Sequence, residues 1–143
     1  MRPLLLGCRA LKTLCLHRNA LRELPPLPAS LTRLLASGNN LDEISTVTDC
    51  LDLVQLDLER NKVVFLPDDL ADLHSLERIN VSKNLLSSLE VPGMSRRAPK
   101  LREFKIASNP LGSMPWWLAD VSAGALEDIF SQDCKVGASL SVI

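Results

Sequence analysis

Tyrosine is absent, and three Phe and two Trp hold the aromatic content to 3%. A compact core of this size normally uses more large rings. The chain instead has 29 Leu within a hydrophobic fraction of 46%, which points to many similar small layers filled by one aliphatic side chain. Neither sign of charge is in excess: 16 Lys and Arg against 17 Asp and Glu leave −1. That excludes a protein held to nucleic acid by charge alone, and the hydrophobic fraction excludes a highly charged disordered tail. No apolar run approaches the ~18 residues of a membrane helix. The four cysteines, Cys8, Cys15, Cys50 and Cys134, are scattered, and His17 and His74 are the only histidines. No metal-ligand spacing results, so no metal, cofactor or small-molecule substrate is expected. Scattered cysteines read as reduced thiols in an intracellular protein. At 143 residues the chain is expected to be one domain.

What the chain does have is a repeat. Leu11, Leu14, Leu16, Asn19 and Leu21 form one unit. Leu31, Leu34, Ala36, Asn39 and Leu41 repeat it, as do Leu53, Leu56, Leu58, Asn61 and Val63. Two more copies are Leu76, Ile79, Val81, Asn84 and Leu86, and Leu101, Phe104, Ile106, Asn109 and Leu111. A degraded sixth copy is Leu126, Ile129, Ser131, Cys134 and Val136. Successive asparagines lie 20, 22, 23 and 25 residues apart. The apolar–polar–apolar alternation inside each unit predicts a short half-buried strand. The Asn then turns the chain, its side-chain amide satisfying backbone groups left bare in its own coil and in the next. Stacked coils give a parallel sheet and an asparagine ladder in which Asn19, Asn39, Asn61, Asn84 and Asn109 are neighbours. With strands ~4.8 Å apart, the rod is about 25–30 Å long.

The pattern LxxLxLxxNxL, with Cys allowed for Asn, resembles the leucine-rich repeat family, and the match covers residues 5 to 136. The unit from Leu53 to Ser75 is similar to the intracellular Ras-group type, through Leu66, Pro67, Leu70, Leu73 and Leu76 on its return segment. The first return, Leu24 to Pro28, looks more like the shorter repeats of secreted bacterial effectors. The resemblance implies an α/β fold: a short right-handed leucine-rich repeat solenoid with its parallel sheet on the concave side. One domain over 1–143 is expected, with a half-repeat at 1–10, repeats starting at 11, 31, 53, 76 and 101, and a closing repeat at 126–143. Leu5, Cys8 and Leu11 repeat the spacing of Leu70, Leu73 and Leu76, which makes Leu5 and Cys8 core positions of an incomplete first coil.

No catalytic constellation emerges. His17 and His74 fall on different coils and faces, with no Ser or Cys expected beside either. Asp57 and Glu59 could mimic a carboxylate pair but read as a solvated stripe. Lys62 to Phe65 matches the docking peptide of protein phosphatase one, yet Val63 is a core position. The exposed strand positions form columns, and solenoid curvature makes this concave face the usual binding surface. Its protein-binding candidates are Arg18, Arg33, Leu35, Asp57, Glu59, Arg60, Arg78, Asn80, Lys83, Lys105 and Phe130. Trp116 and Trp117 stand where the Leu53 coil has Asp68 and Asp69. They are either an exposed partner anchor or covered by the insertion near Gly124. Arg96, Arg97, Lys100 and Arg102 form either a basic patch for RNA or an acidic protein, or a solubilising loop.

These features predict a non-enzymatic protein-binding subunit or adaptor of a large complex, without membrane contact. A free regulatory or pathogen-effector module is the alternative. The expected location is cytoplasmic, with a ciliary or organellar assembly as the variant. Leu4, Leu5 and Leu6 at one end, and Leu140, Val142 and Ile143 at the other, leave apolar ends that call for a partner.

Overall fold

A computed structural model describes residues 4–89, 91, 100–112 and 128–130, with side-chain environments for 5–89, 91 and 100–112. Six three-residue strands form one parallel sheet in sequence order. They are β1 (Thr13–Cys15), β2 (Arg33–Leu35), β3 (Gln55–Asp57), β4 (Arg78–Asn80), β5 (Glu103–Lys105) and β6 (Asp128–Phe130). The register holds without a slip: Leu14, Leu34, Leu56, Ile79, Phe104 and Ile129 follow one another across the sheet. A one-residue slip would turn each central aliphatic out to water, and burial of Leu34, Leu56, Ile79 and Phe104 at 0–1% exposure forbids it.

The return segments repeat too. Short 3-10 turns occupy Leu4–Gly7, Ser45–Asp49 and Asp68–Asp72. No α-helix occurs among the described residues. Three of the described returns hand the chain back to the sheet through the same pair of bonds, whereas the return before Leu31 keeps only Leu31 N–H to Pro28, since proline has no N–H to give. In the third coil Leu73 N–H donates to Leu70 and Leu76 N–H to Leu73. In the second, Cys50 N–H donates to Val47 and Leu53 N–H to Cys50. Cys8 N–H to Leu5 and Leu11 N–H to Cys8 reproduce this at the start. Between sheet and returns lies a single core of leucines and their equivalents, Leu24 to Leu111.

The asparagine ladder is present, with one change of direction. Asn61 Oδ1 accepts from Leu41 N–H at 3.1 Å, and its Nδ2 donates to Ala36 and Leu58 carbonyls at 3.0 Å each. Asn39, Asn84 and Asn109 repeat these contacts. The amide therefore reaches back to the preceding coil, not forward to the next, because the turn leaves an N–H and a C=O of that preceding coil to be satisfied. Asn19 departs from the set: its side chain is exposed, and no earlier strand-bearing coil lies among the described residues for it to reach.

The first coil differs from expectation in burial. Leu14 and Leu16 are half-buried, as are Leu11 and Leu21, while Cys8 is exposed and Leu6 is 49% exposed. Each inner coil is covered above and below, whereas among the described residues the first strand has a neighbour on one side only.

Candidate functional site

The sheet bonding continues past each strand, and this creates the candidate face. Leu16 and Arg18 N–H donate to Leu35 and Ser37 carbonyls, and Ala36 and Gly38 N–H donate to Asp57 and Glu59. Leu58 and Arg60 donate to Asn80 and Ser82, and Val81 and Lys83 to Lys105 and Ala107. Residues up to the turn are thus held in the strand register. The chain then bends sharply at a left-handed residue in each of the first five coils: Arg18, Gly38, Arg60, Lys83 and Ser108 have φ of 54°, 71°, 58°, 58° and 57°. Only Gly38 takes this conformation without a steric cost. The sequence pattern gave no warning of the strain, because four of the five positions carry ordinary side chains.

Four columns result. One holds Arg33, Gln55, Arg78 and Glu103, the next Leu35, Asp57, Asn80 and Lys105, with Phe130 continuing it on β6. The third holds His17, Ser37 and Glu59, and the fourth is the left-handed row. Polar contacts tie the columns together. Arg33 Nε donates to Gln55 Oε1 at 3.1 Å. Glu59 receives Lys83 Nζ at 2.9 Å and Asn80 Nδ2 at 3.3 Å, while Arg60 Nε lies 3.9 Å away. The Lys83 hydrogen bond holds the Glu59 carboxyl below its usual range; partial burial opposes this, and the charges of Lys83 and Arg60 reinforce it. Lys105 and Glu103 pair at 2.9 Å. Asp57 Oδ1 accepts from Glu59 N–H at 3.1 Å, so these two carboxylates are engaged locally and do not face each other as an acid–base pair.

One expectation fails here. His17 Nδ1 and Ser37 Oγ are 2.6 Å apart, so a hydroxyl does sit beside a histidine. The cause is the register: both belong to one column on adjacent coils. Both are exposed or half-exposed, and the neighbouring Arg18 and Gly38 N–H groups are already bonded to carbonyls. The pair therefore lacks the free donors that stabilise a developing oxyanion.

Elsewhere, Val63 is buried while Lys62, Val64 and Phe65 are exposed, and Leu85 N–H bonds to the Val63 carbonyl, so this stretch is built into the coil stack. Lys100 and Arg102 are exposed. Arg96, Arg97, Trp116 and Trp117 lie outside the described residues, as does the side chain of Phe130. Cys15 and Cys50 are free thiols; burial, reinforced by Asp49, pushes the Cys50 thiol up to about 11. Among the described residues, no group of three or more His, Cys, Asp or Glu is placed to hold a metal, and no helix is long and apolar enough to cross a membrane.

The chain superposes on an internalin, InlF, of Listeria monocytogenes with a TM-score of 0.82 over 95% of its own length. The fold is a leucine-rich repeat solenoid. InlP of Listeria monocytogenes superposes with a TM-score of 0.69 over 83%. Identities are 22% and 23%, and the match spans 38% and 33% of those proteins. No family model matches the chain.

Proposed function

We propose that this solenoid is a non-enzymatic protein-interaction module, serving as a structural or adaptor subunit of a larger assembly. The observation that carries the reading is the sheet face itself. Its columns are in strict register, yet they are chemically mixed: Arg33 stands beside Gln55 and Arg78, and Leu35 beside Asp57 and Asn80. A repeated polymer would favour uniform columns; an irregular grid suits a protein surface. Trp116 and Trp117 are proposed as a second contact near the last coils, because paired Trp residues are preferred interface anchors. The half-repeat, repeats and closing repeat over 1–143 are taken as one recognition unit. The free thiols of Cys15 and Cys50 support a reducing, intracellular setting.

A free regulatory or effector module is the second reading. The first return, from Leu24 to Pro28, favours it, being without the 3-10 turn that the next two returns carry. Co-purification separates the two. The assembly reading expects one stoichiometric partner that is lost on Leu35→Asp with Asn80→Arg. A stable monomer whose native associations ignore both that change and Trp116→Asp with Trp117→Asp would end it.

A further inference from the structure

Charge is divided between the sheet face and the returns of the second and third coils. Over β1 to β4 the sheet face carries Arg18, Arg33, Arg60, Arg78 and Lys83 against Asp57 and Glu59. The loops and returns of the second and third coils carry the exposed Asp42, Glu43, Asp49, Asp52, Asp68 and Asp69, with Lys62 as the one described Lys or Arg there. The sheet face over these four strands is thus net positive, and the loops and returns of the second and third coils are net negative. Most of the cations on the sheet face are not held closely by a carboxylate. Lys83 holds Glu59, whereas Arg18, Arg33 and Arg78 have no carboxylate partner among the described residues, and Arg60 has only the distant edge of Glu59.

Gly38 then makes a place for a ligand group. In the left-handed row the first, third and fourth coils have Arg18, Arg60 and Lys83, while the second has no side chain. The gap is a notch of about 130 Å³ lined by Arg18, Ser37, Gly38, Glu59 and Arg60. It is tight at its floor: a Cβ on Gly38 would lie 3.1 Å from Arg18 Cγ. Two guanidiniums flanking a small recess are suited to a carboxylate, which accepts paired N–H bonds.

Resting on the interaction reading above, we infer that the partner presents an acidic, extended peptide segment to this face, with one carboxylate seated between Arg18 and Arg60. Spacing supports an extended chain running across the strands. Arg18 and Arg60 are two coils apart, and so are Arg33 and Arg78; two strand spacings are about 10 Å, the reach of three extended residues. In a polyproline II segment, with three residues per turn at about 3.1 Å each, carboxylates at every third position face the same side and keep this two-coil spacing. A nucleic-acid strand fits worse. A single seated carboxylate meets only Glu59, whose charge is paired with Lys83, whereas a phosphate at every nucleotide would also be forced against Asp57.

The test uses the full chain and fluorescence anisotropy with three labelled probes of equal length: a peptide with Glu at every third position and Ser between, an all-Ser peptide, and a single-stranded RNA. The inference expects the Glu peptide to bind best and to weaken as salt rises. It expects Arg18→Glu with Arg60→Glu to reduce that binding tenfold or more. Gly38→Asn, which tolerates the left-handed backbone and fills the notch, should also weaken it at an unchanged circular dichroism spectrum. Asp68→Lys with Asp69→Lys on the back should leave binding within twofold. Equal binding of the Glu and Ser peptides, tighter binding of RNA, or indifference to the Arg18/Arg60 change each overturns the inference. If native partners are still captured and lost on Leu35→Asp with Asn80→Arg while the Glu peptide fails, the interaction module stands and only its acidic partner falls.

Discussion

Asn61 reaches out of its own coil to the carbonyl of Ala36, 3.0 Å away in the coil before. With its bond to Leu58 and its acceptance of Leu41 N–H, one buried amide satisfies three backbone groups in two coils. Asn61→Ala should lower stability by about 1–3 kcal/mol, since those groups are left unsatisfied. Asn61→Asp should be at least as costly, because a carboxylate brings no donor to the two carbonyls. Asn19→Ala, at an exposed position, should stay within about 0.5 kcal/mol. Urea midpoints at constant slope measure all three, and equal losses at Asn19 and Asn61 would refute the ladder as a source of stability.

Burial grades along the solenoid, so truncations should grade with it. Phe104→Ala, at a fully buried position on β5, should cost about 3–5 kcal/mol, and Leu56→Ala about 2–5 kcal/mol. Leu14→Ala on β1 should cost less than Leu56→Ala, because its side chain is half-buried. Equilibrium unfolding of the three variants checks the order; a Leu14 loss equal to that at Leu56 would mean the first coil is covered as well as the third.

The Glu59–Lys83 pair predicts a pH dependence whose sign follows from the lowered carboxyl. Its folded value lies below the unfolded 4.5, so the pair stabilises fully above about pH 4.5 and loses its effect as pH falls through the folded value. Both side chains are substantially solvated, which keeps the contribution to a fraction of about 1 kcal/mol. The difference in urea midpoint between the parent chain and Glu59→Gln should be constant from pH 7 to about pH 5 and shrink below it. A difference that grows on acidification contradicts this geometry.

Cys50 should resist alkylation in the folded chain. With its thiol at about 11, roughly one part in a thousand is thiolate at pH 8, and the group is buried. Cys8 and Cys15 are exposed and should label first. Mass spectrometry after a short maleimide pulse, with and without urea, should find Cys50 modified only in urea; native labelling at the rate of Cys15 would contradict its burial.

The sheet was readable because a two-residue alternation and a return every 20 to 25 residues admit few other arrangements. Three features were not readable, each for its own reason. The left-handed row is occupied by Arg18, Arg60, Lys83 and Ser108 as well as Gly38, so no glycine signature marks it. The His17–Ser37 contact needs side-chain directions, which a column assignment does not contain. The half-burial of Leu14 and Leu16 depends on what covers a coil, a property of the stack and not of the repeat. The columns of the candidate face follow from the repeat alignment, whereas the notch between Arg18 and Arg60 needed the glycine seen in place.

The unbroken register across six strands has a last consequence. Coil lengths change by five residues from first to last, yet Thr13, Arg33, Gln55, Arg78 and Glu103 still stand in line. The variation in length falls between the strands and leaves their register untouched. The front is therefore a fixed lattice of addresses, each given by a coil and a column, whose occupants can be exchanged singly without moving their neighbours. Evolution or an engineer could rewrite what this surface recognises one address at a time, while returns are lengthened or trimmed behind it.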